Sequence, residues 1–208
     1  MSIKSIFWDF DGVILDSMHI RDVGFIRILS AFPHNAIDEL IRYHRENGGL
    51  SRYHKIRYFF EQILGEPISE EEVNRYADAF SNIMREMLVD PANLIQDANL
   101  FIAKHYKDYE FHIVSGSDQN ELRFLCSKLN LSQYFKSING SPTVKNKLVA
   151  ELLGEVPYSI DEICLIGDSQ NDFDAASLNG ISFWGYNNPS LKEKGYNYIE
   201  SFSELKHI

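Results

Sequence analysis

Along the chain the apolar positions change rhythm twice. Ile3, Ile6, Phe7 and Trp8 make a short run, interrupted by Lys4 and Ser5, with the β-branched and aromatic make-up of a strand. From Ser17 to about residue 91 the spacing is helical. Val23, Ile26, Ile28 and Leu29 form an imperfect face that Pro33 ends. A second helix is expected over about 36–45, stopped by Asn47-Gly48-Gly49. Tyr53, Ile56, Phe59, Phe60 and Ile63 predict a third, ending at Gly65. Ser69 with Glu72 three residues on reads as a capping box. It opens a long helix with the stripe Val73, Ala77, Phe80, Met84, Met87 and Leu88, closed by Pro91.

Beyond Pro91, strands alternate with helices. A helix is expected over 97–105 and a strand over 111–114, broken by Ser115-Gly116-Ser117. Asp118 and Glu121 have capping-box spacing before a helix whose apolar face is Leu122, Leu125, Cys126 and Leu129. A short strand near 137–139 and a helix over 144–153 follow. Ile163-Cys164-Leu165-Ile166 is a continuous apolar run, as expected of a parallel strand covered on both faces. It ends in Gly167-Asp168; the next helix stops at Asn179-Gly180, and 181–184 is a further strand.

This alternation predicts an α/β fold with a doubly wound parallel sheet, Rossmann-like, into which an all-helical cap is inserted. The expected division is a core of residues 1–16 and 92–208 and a cap of residues 17–91. In such folds the site lies beyond the carboxyl ends of the strands. A net charge of −10 argues against a nucleic-acid surface and requires local cations or a metal ion if the ligand is an anion. No stretch is long enough to span a membrane, no signal peptide is visible, and the cytoplasm is the expected location. Cys126 and Cys164 fall in apolar patterns, as buried thiols do. The chain is expected to be a monomer or a small homo-oligomer.

The chemistry-bearing residues gather at strand ends. Asp9 and Asp11 follow the first strand, two apart and therefore on one side of an extended chain. Two acids so close repel each other, and a cation or a shared chemical task would justify them. Ser115, Gly116 and Ser117 follow another strand; Asp168 and Asp172 follow a third; Lys145 and Lys147 open a helix.

The stretch Asp9-Phe10-Asp11-Gly12-Val13-Ile14-Leu15-Asp16-Ser17 resembles the first motif of the haloacid dehalogenase-like superfamily, D-x-D-G-x-x-x-D-[ST], with every position filled. Ser115 stands where the second motif has a Ser or Thr. The segment 140–147 supplies the lysine of the third, and Gly167-Asp168-Ser169-Gln170-Asn171-Asp172 fits the fourth, G-D-x-x-x-D. The branch with a helical cap after the first motif is the one it is similar to. That resemblance implies a Mg²⁺-dependent phosphatase acting on a small phosphorylated metabolite. Asp9 would be the nucleophile that becomes an aspartyl-phosphate, and Asp11 the general acid and base. Asp9, Asp168, Asp172 and the backbone carbonyl of Asp11 would serve the metal. Ser115, Gly116, Ser117 and the lysine would hold the phosphate. Helical spacing chooses between the lysines: Lys145 aligns with Val149 and Leu152 on the inward stripe, Lys147 with Ala150, Glu151 and Gly154 on the solvent side.

In the expected cap, Gly48-Gly49-Leu50-Ser51-Arg52 with Lys55 one turn on resembles a specificity loop. Arg52 and Lys55 either meet a second anionic or hydroxyl-bearing group of the substrate or lie as surface cations. Sugar phosphomutases of this branch carry a His shortly after the first motif; Arg21 stands there by spacing, with His19 nearby. The mutase therefore stays open as an alternative, as does a non-catalytic phospho-acceptor or binding module.

Overall fold

The first strand, β1 (Ser5–Trp8), is the axis of the sheet, and all four of its residues are buried. It pairs in parallel with β2 (Glu110–Asp118) on one side and β4 (Ile163–Gly167) on the other. With β3 (Ser137–Ser141), β5 (Ser182–Tyr186) and β6 (Asn197–Ile199) they make a six-stranded sheet in the order β3-β2-β1-β4-β5-β6, every pair parallel. This structure, a computed structural model, describes residues 2–205.

Period two along the strands sorts the core. Ile6, Trp8, Cys164 and Ile166 face one layer; Phe7, Ile163 and Leu165 face the other. The second layer is closed by α7 (Lys145–Leu153) and α8 (Gln170–Leu178) through Leu148, Val149, Leu152, Ala175 and Ala176. The first is closed by α5 (Gln96–His105) and α6 (Gln119–Lys128) through Ala98, Phe101, Ile102, Leu122, Leu125 and Cys126.

Between β1 and β2 the regular elements are all helical: α1 (Met18–Ile28), α2 (His34–Glu46), α3 (Arg52–Tyr58) and α4 (Glu70–Met87) precede α5. A π-helical turn, Phe59–Leu64, extends α3 to Gly65. The Ser69–Glu72 capping box opens α4, whose stripe Val73, Ala77, Phe80 and Met84 is buried. No described helix is long and apolar enough to cross a membrane. Both cysteines are free and buried.

Three expectations need correction, and one strand was not expected. β2 does not stop at Val114; it runs to Asp118, with its register against β3 shifting between those residues. The turn residues Ser115-Gly116-Ser117 thus form an irregular strand end, as bulges beside sites do. Asp118 caps α6 by accepting from the Asn120 and Glu121 amides, but the Glu121 side chain turns away, so the box is not closed. A reciprocal box forms instead between Ser169 and Asp172. On α1 the buried face is Arg21, Asp22, Gly24 and Phe25, while Ile26 is exposed. The sixth strand, Asn197–Ile199, is too short and polar to stand out in the sequence.

Candidate active site

β1 delivers Asp9 to the carboxyl edge of the sheet, next to the end of β4, where the Asp9 amide donates to the Ile166 carbonyl. Gly12, at φ +78°, turns the chain back at once. A Cβ there would lie 2.0 Å from Asp168 Oδ2, so the bare backbone makes room for that carboxylate. Asp9, Asp168 and Asp172 each bring an oxygen within 4.8 Å of the others.

Lys145 is the cation among these acids. Its Nζ donates to Asp9 Oδ1 at 2.7 Å and also to Asp172 Oδ1. Burial disfavours its charge, but Asp172 and Asp9 outweigh that and raise the pKa. Lys147 is exposed. The other Asp172 oxygen accepts from the Ser169 amide at 3.0 Å and its hydroxyl at 2.7 Å, closing the box at the start of α8. Burial, followed by repulsion from Asp172, lifts Asp9 to about 7. Burial and the charges of Asp9 and Asp172 push Asp168 well above the usual range. One lysine therefore leaves this cluster short of positive charge. Its donors are all hard oxygens, the set that Mg²⁺ prefers, so the residues present fit that ion.

Asp11 is held apart from the cluster. Its carboxylate accepts from Ser17 Oγ, Ser117 Oγ and, at 2.7 Å, Arg21 Nε. Burial alone would raise its pKa; Arg21, Ser117 and Ser17 overcome this and hold it below the ordinary value. Ser115 is buried, and its hydroxyl accepts from the Ser117 amide at 3.1 Å. Gly116 meets the 47–51 turn: a Cβ on it would lie 2.4 Å from the Gly49 carbonyl oxygen. Gly116 and Lys145 line one crevice, together with Gly49, Ser51 and Asn171.

Behind Asp11 lies a second, narrower chamber lined by Arg21, Phe25, His44, Arg52, Lys55, Phe80 and Ser117, among others. Arg52 and Lys55 are both buried rather than on the surface. Arg52 donates to Glu121 Oε2 and to Ser81, both at 2.6 Å. Arg21 reaches the other Glu121 oxygen at 3.2 Å. Lys55 Nζ lies 2.8 Å from His44 Nδ1 and donates to the Gly48 carbonyl at 3.3 Å. Burial, then Arg21, lowers Lys55 to about 7; burial, then Lys55, lowers His44 to about 2, so the imidazole is neutral. His19 is exposed and Arg21 is not.

The structure therefore brings Asp9, Asp168, Asp172 and Lys145 into one cluster and Asp11, Ser117 and Arg21 into an adjoining one. Glu121 and His44 were not foreseen as parts of the site. For Glu121 a signal existed: it stands four residues before Leu125, on the apolar face of α6.

Residues 6–186 match the family model described as haloacid dehalogenase-like hydrolase. The chain belongs to that family. Among solved structures, CbbY from Rhodobacter sphaeroides in complex with phosphate aligns with a TM-score of 0.78 at 14% identity, covering 98% of this chain and 96% of that one. Beta-phosphoglucomutase from Clostridium difficile aligns at 0.77 and 16%, covering 98% and 93%. YfnB from Bacillus subtilis, bound to magnesium, aligns at 0.73 and 18%, covering 99% and 97%. At these identities the likeness is one of fold. No curated protein matches the chain. The chain is an enzyme of this hydrolase family, with a carboxylate cluster able to take a metal ion.

Proposed function

We propose that this enzyme is a Mg²⁺-dependent phosphatase that hydrolyses a small phosphate monoester through an aspartyl-phosphate on Asp9. The observation that carries this is the separation of two carboxylates two residues apart. Asp9 lies with Asp168, Asp172 and Lys145, whereas Asp11 lies with Ser17, Arg21 and Ser117. One acid sits among groups that serve an anionic phosphoryl group; its neighbour sits among proton donors, beside a chamber for the leaving alcohol.

Asp9, Asp168 and the Asp11 carbonyl would hold the ion, with Asp172 behind them. When bound, it supplies the positive charge that lets a carboxylate approach a phosphate. Lys145 orients Asp9 and partly offsets the burial and the Asp172 charge that raise its pKa. Ser115, Ser117 and the amide of Gly116 offer donors to the phosphoryl oxygens. Asp9 attacks phosphorus while Asp11 gives its proton to the departing alcohol oxygen; water then attacks the aspartyl-phosphate and Asp11 takes the proton back. For the first half-reaction the Asp11–Arg21 ion pair must loosen as the ester enters. The second uses the ionised state that the three donors favour. Arg52 and Lys55 face the chamber where the leaving group would lie. The exposure of His19, with Arg21 on Asp11, supports hydrolysis over the mutase alternative, for which a nearby His would be the acid and base.

The test is phosphate release from a panel of small esters, with Mg²⁺ and with chelator, by wild type and Asp9→Asn. Turnover that needs the metal and disappears in Asp9→Asn sustains the reading. Turnover unchanged in Asp9→Asn overturns it, as does interconversion of a sugar bisphosphate without phosphate release.

A further inference from the structure

The end of β5 meets the carboxylate cluster from a side that no sequence motif marks. β5 runs beside β4, with Ile166 opposite Trp184 and Gly167 opposite Gly185, so the two strands end within one residue of each other. Asp168 follows the first of them, and Asn187 and Asn188 follow the second. Each asparagine sends its side-chain amide to a backbone carbonyl of a different segment. Asn188 Nδ2 donates to the Asp168 carbonyl at 2.7 Å, and Asn187 Nδ2 donates to the Gly12 carbonyl at 3.0 Å. Both asparagines are themselves fixed. Asn187 sits at φ +54°, in the left-handed region that asparagine enters more readily than most residues. Asn188 caps the short helix α9 (Pro189–Glu193): its Oδ1 accepts from the Ser190 amide at 3.2 Å and from the Ser190 hydroxyl at 2.8 Å. With its oxygen engaged there, its nitrogen is left for Asp168.

What the two side chains hold is a pair of peptide planes. The Asp168–Ser169 peptide is gripped at both edges, its carbonyl by Asn188 and its N–H by Asp172 Oδ2 at 3.0 Å. On the other segment the Gly12 N–H donates to the Leu15 carbonyl at 2.8 Å, which in a trans peptide turns the Asp11 carbonyl to the opposite side. Asn187 then fixes the next peptide through the Gly12 carbonyl. The two clamped segments touch, since a Cβ on Gly12 would lie 2.0 Å from Asp168 Oδ2. Asp168 and the Asp11 carbonyl, both assigned to the ion, are thus carried on backbone that β5 ties down.

We propose that Asn187 and Asn188 are positioning residues that keep this cluster rigid and thereby favour Mg²⁺ over the larger Ca²⁺. The inference rests on the Mg²⁺ reading and adds what selects the ion. Mg²⁺ demands near-octahedral oxygens at about 2.0–2.1 Å, whereas Ca²⁺ accepts about 6–8 oxygens at about 2.3–2.6 Å in looser geometry. Ligands anchored through clamped peptides suit the first ion. Ligands free to shift suit the second as well. Neither asparagine is assigned to the ion itself, so losing its amide takes no ligand and no charge from the cluster.

Asn188→Ser and Asn187→Gly test this. Serine caps α9 as well as asparagine does, and glycine keeps the positive φ. Each change removes one amide donor and no charge. Calorimetric titration of the chelator-stripped protein with MgCl₂ and, separately, with CaCl₂ gives a Kd for each ion. Asn188→Ser is expected to weaken Mg²⁺ binding by about tenfold, the lower end for residues that orient a ligand without touching the ion, and Ca²⁺ binding by less than about threefold. Asn187→Gly, whose bond is exposed, should weaken Mg²⁺ by about threefold and leave Ca²⁺ unchanged. Equal weakening of the two ions marks a general loosening of the fold and overturns the inference. An unchanged Mg²⁺ affinity in both variants overturns it too and leaves the Mg²⁺ reading standing. If wild type takes up neither ion, that reading fails and the inference with it. Should Asn188→Ser fail to fold, Asn187→Gly, which leaves α9 intact, decides by the same ratio.

Discussion

Two lysines at the start of α7 differ by two positions and by everything else. Lys145 is buried between Asp9 and Asp172, and Lys147 is exposed. Helical spacing already put Lys145 on the stripe of Val149 and Leu152, so its burial was legible in the sequence. Lys145→Ala removes the one cation that the structure sets among three acids and is expected to lower kcat/KM by about 10²- to 10³-fold. Lys147→Ala should stay within about twofold, as an exposed side chain does; a phosphate-release assay on the two variants separates them. Arg21 was legible only as the residue standing by spacing where a phosphomutase has its His. It is instead the link between Asp11 and Glu121. Arg21→Ala removes the cation shared by the fully buried Glu121 and the partly exposed Asp11 and should cost roughly 3 kcal/mol, seen as a lower Tm. His44 gives a pH signature. Its native pKa of about 2 lies below the unfolded 6.5, so below pH 6.5 the unfolded chain binds a proton that the native one refuses. The His44 contribution to stability therefore falls as pH drops, by roughly 2 kcal/mol between pH 7 and 5 at about 1.4 kcal/mol per pH unit below the unfolded pKa, against the opposite contribution of Asp9 and Asp168. His44→Gln should remove this contribution, so that between pH 7 and 5 its Tm falls less, or rises more, than that of wild type.

At the scale of elements, the sequence was clearest where a single rhythm ruled. The apolar run 163–166, the capping box before α4 and the stripe from Val73 to Met84 all occur as elements at their expected places. It was least clear where the site bends the rule. Ser115-Gly116-Ser117 looked like a strand terminator, because Ser and Gly favour turns. Tertiary pairing keeps the chain extended there, and the register shift turns Ser117 toward Asp11. Glu121 had capping-box spacing, yet two buried guanidinium groups compete for its carboxylate and win. Short-range patterns cannot see partners 69 and 100 residues away. Gly116 belongs to the same irregular strand end. Its missing side chain lets the Gly49 carbonyl approach the sheet, and a methyl group would meet it at 2.4 Å. Gly116→Ala should therefore push the 47–51 turn off the site. Misplacement of about 1 Å costs on the order of 100-fold in rate. The expected result is a large loss in kcat/KM with little change in Tm, since β2 remains paired on both sides of the bulge. A parallel fall in Tm would instead assign Gly116 to the packing of the sheet.

The whole molecule is acidic, with a net charge of −10, and still gathers three carboxylates into one buried cluster. The fold pays for this locally, since Asp9 and Asp168 both have raised pKa values before any cation arrives. Any divalent cation that binds the native cluster and not the unfolded chain must then stabilise the fold by mass action. At a hundredfold excess over Kd the gain is about 2.7 kcal/mol. For a chain of this length each kcal/mol moves Tm by about 2–4 °C, so Mg²⁺ should raise it by roughly 5–10 °C. The same ion relieves the repulsion among the acids, so the rise should be larger at pH 8, where Asp9 is ionised, than at pH 6, where it holds its proton and competes with the metal. Asp168→Asn removes a ligand and a charge together. That variant should be more stable than wild type without metal and should lose most of the Mg²⁺-dependent rise. Thermal denaturation of both proteins at two pH values, with and without Mg²⁺, checks this directly. An equal Mg²⁺ response in the two would place the ion somewhere other than this cluster.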